Sequence, residues 1–306
     1  MMRGFFSALI GALVLLTQNA NAALYELKEV VDLKPQPKAK LVEVWIPVPY
    51  ENRWQKIERM EVVSPYSFQL LKESEYGDRF IYIRHEGPLK EPTRITVKLL
   101  VEREEVKPEK LTSKPPLRYL LPDRLVPVDK FKVLAERITA GKKTDVEKLK
   151  AIYNYVVSHM KYDKSGKGWG RGDAIWACDA KRGNCTDFHS LFIALCRAAG
   201  IPARFQIGLP VNGSGEVKGY HCWVLAYPDG FVYGIDASEA AKHPSLRKYY
   251  FGHLKDNRVG ITIGRDILLA PAQHGSRLNF TYKAYEEVDL KPSNGVQTYY
   301  FVKIIR

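Results

Sequence analysis

The sequence predicts an α+β fold, because strand-like and helix-like patterns occupy different parts of the chain. Between residues 23 and 106, short runs of alternating apolar and polar residues are separated by Gly and Pro. Between residues 129 and 200, apolar residues recur at helical spacing instead. Strand-like runs return after residue 203, and two of them flank Pro228-Asp229-Gly230, a strong hairpin signal.

The first region reads as a small β-sandwich-like domain over residues 23–110. Its clearest strands are residues 41–49, 79–84 and 94–101, which are short and bounded by proline or glycine. A Lys- and Pro-rich connector at 107–116 marks the best domain boundary. A second domain is predicted over residues 118–290, and residues 291–306 are assigned to a C-terminal strand.

Two helices are predicted ahead of the central motif. The first covers about 129–140, and the second begins at Thr144, where Glu147 completes a capping box. A glycine-rich loop follows at 165–172. It lacks the Gly-Lys-Ser/Thr ending of a phosphate-binding loop, so we interpret it as a flexible loop beside an active-site groove.

Cys185 lies where a chain would place a thiol nucleophile. A glycine-marked turn ends at this residue, and an apolar helical pattern begins directly after it and stops at Gly200. The start of a helix offers unpaired N–H groups and the positive end of the helix dipole. Both favour the thiolate, which is the reactive form.

A candidate base and a candidate orienting carboxylate follow in the chain. His221 lies on the predicted strand 220–227, and Asp236 ends the strand 231–236. A hairpin centred near residue 229 places His221 opposite about residue 237, one step from Asp236. Neighbouring strands lie about 4.8 Å apart, so the carboxylate can reach the imidazole.

These residues resemble the core of the bacterial transglutaminase-like family, within the papain-like cysteine superfamily. Four motifs carry the resemblance in the family's order, and they cover roughly residues 118–290. The motifs are Gly183-Asn184-Cys185, Gly200-Ile201-Pro202-Ala203-Arg204, His221-Cys222-Trp223 and Ile235-Asp236. The fold that the resemblance implies is a papain-like/transglutaminase-like core, in which the helix bearing the cysteine packs on an antiparallel sheet.

The resemblance also implies a Cys185-His221-Asp236 triad that acts on an amide or thioester carbonyl. We expect no cofactor and no metal in the site. The backbone N–H of Cys185 would donate to the oxyanion. Trp169 and Trp176 are both candidates for the additional indole donor of transglutaminases. His189, one turn after the cysteine, is expected beside the site rather than in it.

Three alternatives remain open from the sequence. The first is a zinc site made of Cys178, Cys185, His221 and Cys222, although the spacing of the first two is wide for a zinc motif. The second is a relative that binds peptides without turnover. The third concerns the reaction, since an acyl-enzyme can be resolved by water or by an amine. We favour hydrolysis over cross-linking. Cys196 reads as a buried apolar residue, and Cys178 and Cys222 could form a disulfide.

The N-terminal 22 residues predict export to the periplasm or the exterior. Arg3 precedes an apolar run, and Asn19-Ala20-Asn21-Ala22 offers a signal-peptidase site. No later run approaches the ~18 apolar residues of a membrane span. The net charge of +13 is dispersed, and no nucleic-acid motif accompanies it. We therefore expect protein or peptide substrates, with cell-envelope peptides as candidates, and no nucleic acid.

Overall fold

The computed structural model describes the backbone of residues 6–10 and the whole of residues 22–306. Most of the predicted signal peptide therefore lies outside the described residues. Phe6–Ile10 form a strand that pairs with Gln55–Ser64. Within the described part of the chain, no helix combines the length and the apolar character needed to cross a membrane.

The strands are mostly antiparallel and the α-helices are confined to the middle of the chain, between Lys132 and Lys242, which confirms the predicted α+β class. The α-helices are α1 (Lys132–Thr139), α2 (Asp145–His159), α3 (Ala174–Ala180), α4 (Cys185–Ala198) and α5 (Ala237–Lys242). The strands before α1 are β1 (Phe6–Ile10), β2 (Ala23–Leu33), β3 (Leu41–Val48), β4 (Gln55–Ser64), β5 (Gln69–Lys72), β6 (Arg79–Glu86), β7 (Thr93–Arg103) and β8 (Glu109–Lys110). The later strands are β9 (Lys161–Tyr162), β10 (Arg182–Gly183), β11 (Ala203–Pro210), β12 (Gly215–Glu216), β13 (His221–Ala226), β14 (Phe231–Ile235), β15 (Phe251–Gly252), β16 (Arg258–Ile263), β17 (Tyr285–Val288), β18 (Lys291–Pro292) and β19 (Val296–Ile304).

The chain folds into two compact units, and each is built from separate stretches of sequence. The first unit combines residues up to 104 with 207–220 and 256–306, and the second combines 105–206 with 221–255. These bounds differ from the continuous stretches 23–110, 118–290 and 291–306 that the sequence suggests. The reason is strand pairing: β19 pairs with β2 along its length, and β17 pairs with β3. The late strands thus complete early sheets.

The first unit contains the predicted sandwich. One sheet has the order β1-β4-β7-β2-β19-β12, and the other has the order β18-β17-β3-β6-β5. Alternate residues of both sheets point into one shared hydrophobic core; they include Leu27 and Val31 from β2, and Val44 and Ile46 from β3. The opposite face of β3 and β6 is also covered, because Trp45 and Tyr82 pack with Ile267 and Leu269.

The second unit is organised around α4, whose residues 185–197 are all buried. The other helices and β13 pack against it, so α4 is hidden on all sides rather than on the single apolar face that its sequence predicts. β13 and β14 form the predicted hairpin. The predicted capping box of α2 is confirmed: the Thr144 side chain accepts from the Glu147 N–H, and Glu147 accepts from the Thr144 N–H.

One glutamate of the first unit is buried without a cation. Glu29 on β2 is 1% exposed, and its Oε1 accepts from the Tyr300 hydroxyl at 3.0 Å, while its Oε2 has no hydrogen-bond partner. Burial raises the pKa of Glu29 from 4.5 to about 8, against the lowering effect of the Tyr300 hydrogen bond. The folded protein therefore keeps this carboxyl protonated at neutral pH.

This protonation makes the contribution of Glu29 to the stability of the protein depend on pH. Between pH 4.5 and 8 the unfolded chain has released the Glu29 proton, whereas the folded chain retains it, so this group's contribution to stability falls as pH rises. Glu29→Gln should remove the effect. We expect it to raise the free energy of unfolding near pH 7 by up to about 3 kcal/mol, and to change little near pH 4.

Denaturant unfolding of wild type and variant between pH 4 and 8.5 measures this difference. Glu26→Gln is the matched control, because Glu26 lies on the same strand but is exposed. A Glu29→Gln effect of the same size at every pH would contradict the assignment.

Candidate active site

Cys185 is the first residue of α4, as the sequence predicts. Asn184 caps the helix, because its side-chain oxygen accepts from the Thr186 N–H at 3.0 Å. Asp187 accepts in turn from the Asn184 N–H at 2.9 Å, which completes a capping box. The Cys185 thiol therefore lies at the positive end of a buried helix dipole.

The glycine before the cap is required by the close approach of Asp187. Gly183 has a φ of +150°, and a Cβ on this residue would lie 2.4 Å from Oδ2 of Asp187. Any side chain would push away the carboxylate that completes the cap. Gly183 therefore allows α4 to begin at Cys185.

Asp187 also fixes the end of the glycine-rich loop. Its oxygens accept from the Gly170 N–H at 2.7 Å and from the Gly172 N–H at 3.0 Å. Burial raises the pKa of Asp187, whereas these N–H donors and the one from Asn184 act to lower it. The loop predicted to be flexible is thus held at its C-terminal end by a buried carboxylate at the start of the cysteine helix.

The structure brings the three predicted triad residues together in the second unit. Nε2 of His221 lies 2.7 Å from Oδ2 of Asp236, and the His221 ring also hydrogen-bonds Cys185. Because Nε2 faces the carboxylate, Nδ1 is the nitrogen left for the sulfur. Cys185 is 3% exposed, His221 8% and Asp236 0%.

The electrostatics of this group favour a thiolate–imidazolium pair. The pKa of Cys185 is held well below its usual value of 9.0, first by a hydrogen bond from Cys222 and also by the hydrogen bond and charge of His221, which together outweigh burial. For His221, burial acts to lower the pKa, but the Asp236 carboxylate and the Cys185 sulfur raise it from 6.5 to about 9. Near neutral pH, a proton therefore resides on His221 and not on Cys185.

A second cysteine and a second histidine lie against the triad. Sγ of Cys222 is 3.5 Å from Nδ1 of His189, and both residues are fully buried. Nε2 of His189 accepts from the Ala237 N–H at 3.2 Å and lies 3.6 Å from Oδ1 of Asp236. His189 is beside the site, as predicted. Neighbouring residues of a strand point to opposite faces of the sheet, so the sequence gives no reason to expect the hydrogen bond from Cys222 to the Cys185 sulfur.

Asp236 belongs to a different element from the one that the sequence suggests. β14 ends at Ile235, and Asp236 is the N-cap of α5, where Oδ1 accepts from the Glu239 N–H and from the Ser238 hydroxyl, both at 2.9 Å. Val224 pairs with Ile235, one residue beyond the register inferred from the turn. The carboxylate therefore reaches His221 from a helix cap, with one oxygen for the helix and one for the imidazole.

The remaining candidates are placed elsewhere in the second unit. The Trp176 indole packs against Gly168, and the Trp169 ring lies 5.9 Å from the ammonium of Lys164, so the indole donor of the oxyanion stays a prediction. Cys178 contacts Tyr155 on α2. In the described residues, Cys178, Cys185, His221 and Cys222 do not gather as ligands of one ion. None of the four cysteines forms a disulfide there, so Cys178 and Cys222 are not paired.

Comparison with known proteins agrees with this geometry. Residues 132–233 match the family model of the transglutaminase-like superfamily, a stretch that includes Cys185 and His221. An uncharacterized protein of Haemophilus influenzae is 24% identical over 90% of this chain and 89% of its own length. The crystal structure of a candidate cysteine protease from Cytophaga hutchinsonii matches with a TM-score of 0.61 at 17% identity, over 99% of this chain and 93% of that one.

Three of the four sequence motifs lie within the matched stretch, Ile235-Asp236 lies just beyond it, and the structural match extends the likeness in fold over nearly the whole chain. Residues 132–233 form a transglutaminase-like domain.

Proposed function

We propose that this protein is an exported, cysteine-dependent enzyme that hydrolyses amide bonds in proteins or peptides. The observation that carries the proposal is the buried contact of Cys185 with His221, whose Nε2 lies 2.7 Å from Asp236. A low cysteine pKa beside a raised histidine pKa is the electrostatic arrangement of a cysteine nucleophile and its general acid.

The reaction would proceed through a thioester. Sγ of Cys185 attacks the carbonyl carbon, and the backbone N–H of Cys185 donates to the oxyanion. His221 gives its proton to the leaving nitrogen as the C–N bond breaks, and the amine departs. A water molecule then attacks the thioester while His221 takes its proton, which releases the acid and restores the thiolate. Asp236 orients the ring and stabilises its cation.

Export and peptide substrates rest on the sequence. The positive n-region, the apolar run and the Ala-x-Ala site at the N-terminus predict a cleaved signal peptide. An exported bacterial protein meets cell-envelope peptides, and a net charge of +13 attracts it to anionic surfaces. Envelope peptides are therefore the substrates that we propose first.

Acyl transfer to an amine is the second candidate function, and the low exposure of the site favours it. Cys185 and His221 expose only 3% and 8% of their surface, so little bulk water reaches the sulfur in the free protein. An amine that binds in place of water would then resolve the thioester and cross-link two chains.

The thiolate can be tested without a known substrate. We expect iodoacetamide to alkylate Cys185 at pH 6 at least about ten-fold faster than a free thiol, whose pKa of ~8.5 leaves it almost wholly protonated there. His221→Ala should abolish the advantage, because the imidazolium no longer stabilises the anion.

Mass spectrometry of one digest supplies the control for this experiment. Cys178 is partly exposed, and burial raises its pKa, so it should react only at alkaline pH in the same sample. Equal rates at the two cysteines at pH 6, or a rate at Cys185 that survives His221→Ala, would contradict the ion pair.

The role of Asp236 can be read from the His221 titration. The carboxylate stabilises the imidazolium, so Asp236→Asn should lower the pKa of His221 from about 9 by at least about one unit. NMR of the ring C–H signals against pH measures this shift. Ser238→Ala is the matched control, since Ser238 bonds the other oxygen of Asp236 and should shift the pKa much less.

The reaction itself is tested by incubating the protein with envelope peptides and a fluorescent primary amine. Hydrolysis predicts release of new amino groups without incorporation of the label, and Cys185→Ala should abolish the release while Cys178→Ala retains it. Each acyl-enzyme releases one leaving amine in either reaction, so label incorporated in nearly the amount of amine released would establish acyl transfer instead. A reactive Cys185 that does neither with these peptides would exclude them as substrates.

A further inference from the structure

Two buried glutamates of the first unit face each other on neighbouring strands. Glu43 on β3 is the register partner of Glu287 on β17, and they are 5% and 0% exposed. Like charges directly opposite each other destabilise a sheet, and a buried carboxylate is costly unless it is paired. This pair therefore requires positive charge nearby. Arg84 on β6, the other register partner of Glu43, is half exposed and pairs with Glu86, so it supplies that charge only in part.

One oxygen of each glutamate is already held by a tyrosine. The Tyr82 hydroxyl donates to Oε1 of Glu43 at 2.5 Å, and the Tyr285 hydroxyl donates to Oε1 of Glu287 at 2.8 Å. A carboxylate oxygen can only accept, so both hydroxyls act as donors. The Gly275 N–H adds a third bond, at 2.7 Å, to Oε1 of Glu287.

The other oxygens converge on His274. Nδ1 of His274 lies 3.0 Å from Oε2 of Glu287 and 3.8 Å from Oε2 of Glu43. The longer distance exceeds hydrogen-bond range, and Oε2 of Glu43 is buried without a hydrogen-bond partner. The cluster thus contains an unpaired carboxylate oxygen that is aimed at the imidazole nitrogen.

The surrounding residues hold this arrangement in place. The Trp45 ring packs against the rings of Tyr82 and Tyr285, with centroids 5.2 and 5.8 Å away. Nε1 of Trp45 donates to the Pro271 carbonyl at 3.0 Å, which ties the segment leading to His274 to the sheet. The His274 side chain is 46% exposed, so the cluster opens to solvent on one side.

We propose that Glu43, Glu287 and His274 bind a divalent transition-metal cation, of which Zn²⁺ matches the ligands best. The three ligand atoms lie within 4.8 Å of one another. One imidazole and two carboxylates suit zinc, and its two charges balance those of the glutamates. The tyrosines orient the carboxylates from outside, as outer partners do in metal sites.

The competing explanation is a protonated His274 that bridges the two glutamates. The imidazolium would neutralise only one of two carboxylates, and it leaves Oε2 of Glu43 without a bond. A cation between the three ligand atoms uses that oxygen, with Nδ1 of His274 as an acceptor toward the metal. Binding would fasten the segment around residues 271–276 to β3 and β17.

Zinc titration of metal-free protein by calorimetry tests the proposal, with Cys185→Ser as the background. That substitution removes the Cys185 thiolate, because a thiolate is itself a zinc ligand that competes in the titration. We expect one Zn²⁺ per chain and a rise in the thermal midpoint with zinc concentration. His274→Ala and Glu43→Gln should each abolish binding, and Tyr285→Phe should weaken it by about ten-fold or more.

His243→Ala is the matched control, since His243 is an exposed histidine 3.6 Å from the single carboxylate of Glu239, and it should leave zinc affinity unchanged. His274→Ala keeps the test usable if Glu43→Gln fails to fold, because His274 is partly exposed. Failure of the Cys185→Ser protein to bind zinc, or binding that survives His274→Ala, would overturn the proposal. The proposal would also be overturned if His274→Ala lowered the thermal midpoint by the same amount with and without zinc. That result would identify His274 as a bridge between the two glutamates. None of these results depends on catalytic activity.

Discussion

The 2.7 Å contact between His221 and Asp236 is the interaction on which the candidate site depends. A thiolate that is 97% buried is stable only beside a cation, and the imidazolium is stable there only because a second anion supports it. The charges of the Cys185 thiolate, the His221 imidazolium and the Asp236 carboxylate therefore stabilise one another. The hydrogen bond from Cys222 and this coupling with His221 together explain why Cys185 has a lowered pKa although burial by itself raises the pKa of a thiol.

Asp236 shows how the fold serves both structure and chemistry with one carboxylate. One oxygen caps α5 and the other faces His221, so the start of this short helix determines where the anion lies. Asp187 has a similar double role at the start of α4. It accepts from the backbone N–H groups of Gly170, Gly172 and Asn184, and so links the glycine-rich loop and the N-cap to the cysteine helix. The orientation of Cys185 thus depends on a second buried carboxylate that never touches the sulfur.

The protein satisfies its buried carboxylates in chemically different ways. Asp187 accepts backbone N–H bonds, Asp236 pairs with an imidazole, and Glu29 retains a proton. Glu287 combines two of these ways, because it accepts from the Gly275 N–H and lies 3.0 Å from Nδ1 of His274, whereas Glu43 on the facing strand keeps one buried oxygen without a hydrogen-bond partner. The buried negative charge of Glu43 and Glu287 must also be compensated, and the proposed bound cation supplies that compensation.

The sequence by itself determined the elements whose signals are local. Three features follow from residues that are close together in the sequence. They are the start of α4 at Cys185, the capping box of α2 and the β13–β14 hairpin. The sequence also predicted Cys185, His221 and Asp236 as the candidate site residues, because the motifs around them are short and contiguous. These features need no knowledge of distant contacts.

Only the tertiary structure decided the features that depend on residues far apart in the chain. α5 has six residues, fewer than two helical turns, so its sequence shows no recognisable helical repeat. The position of Asp236 at the N-cap of a helix could therefore not be predicted. The pairing of β19 with β2 joins residues more than 260 positions apart, and this pairing divides the chain into discontinuous units. Glu43, His274 and Glu287 meet for the same reason: long-range strand pairing places them together, and no local pattern encodes it.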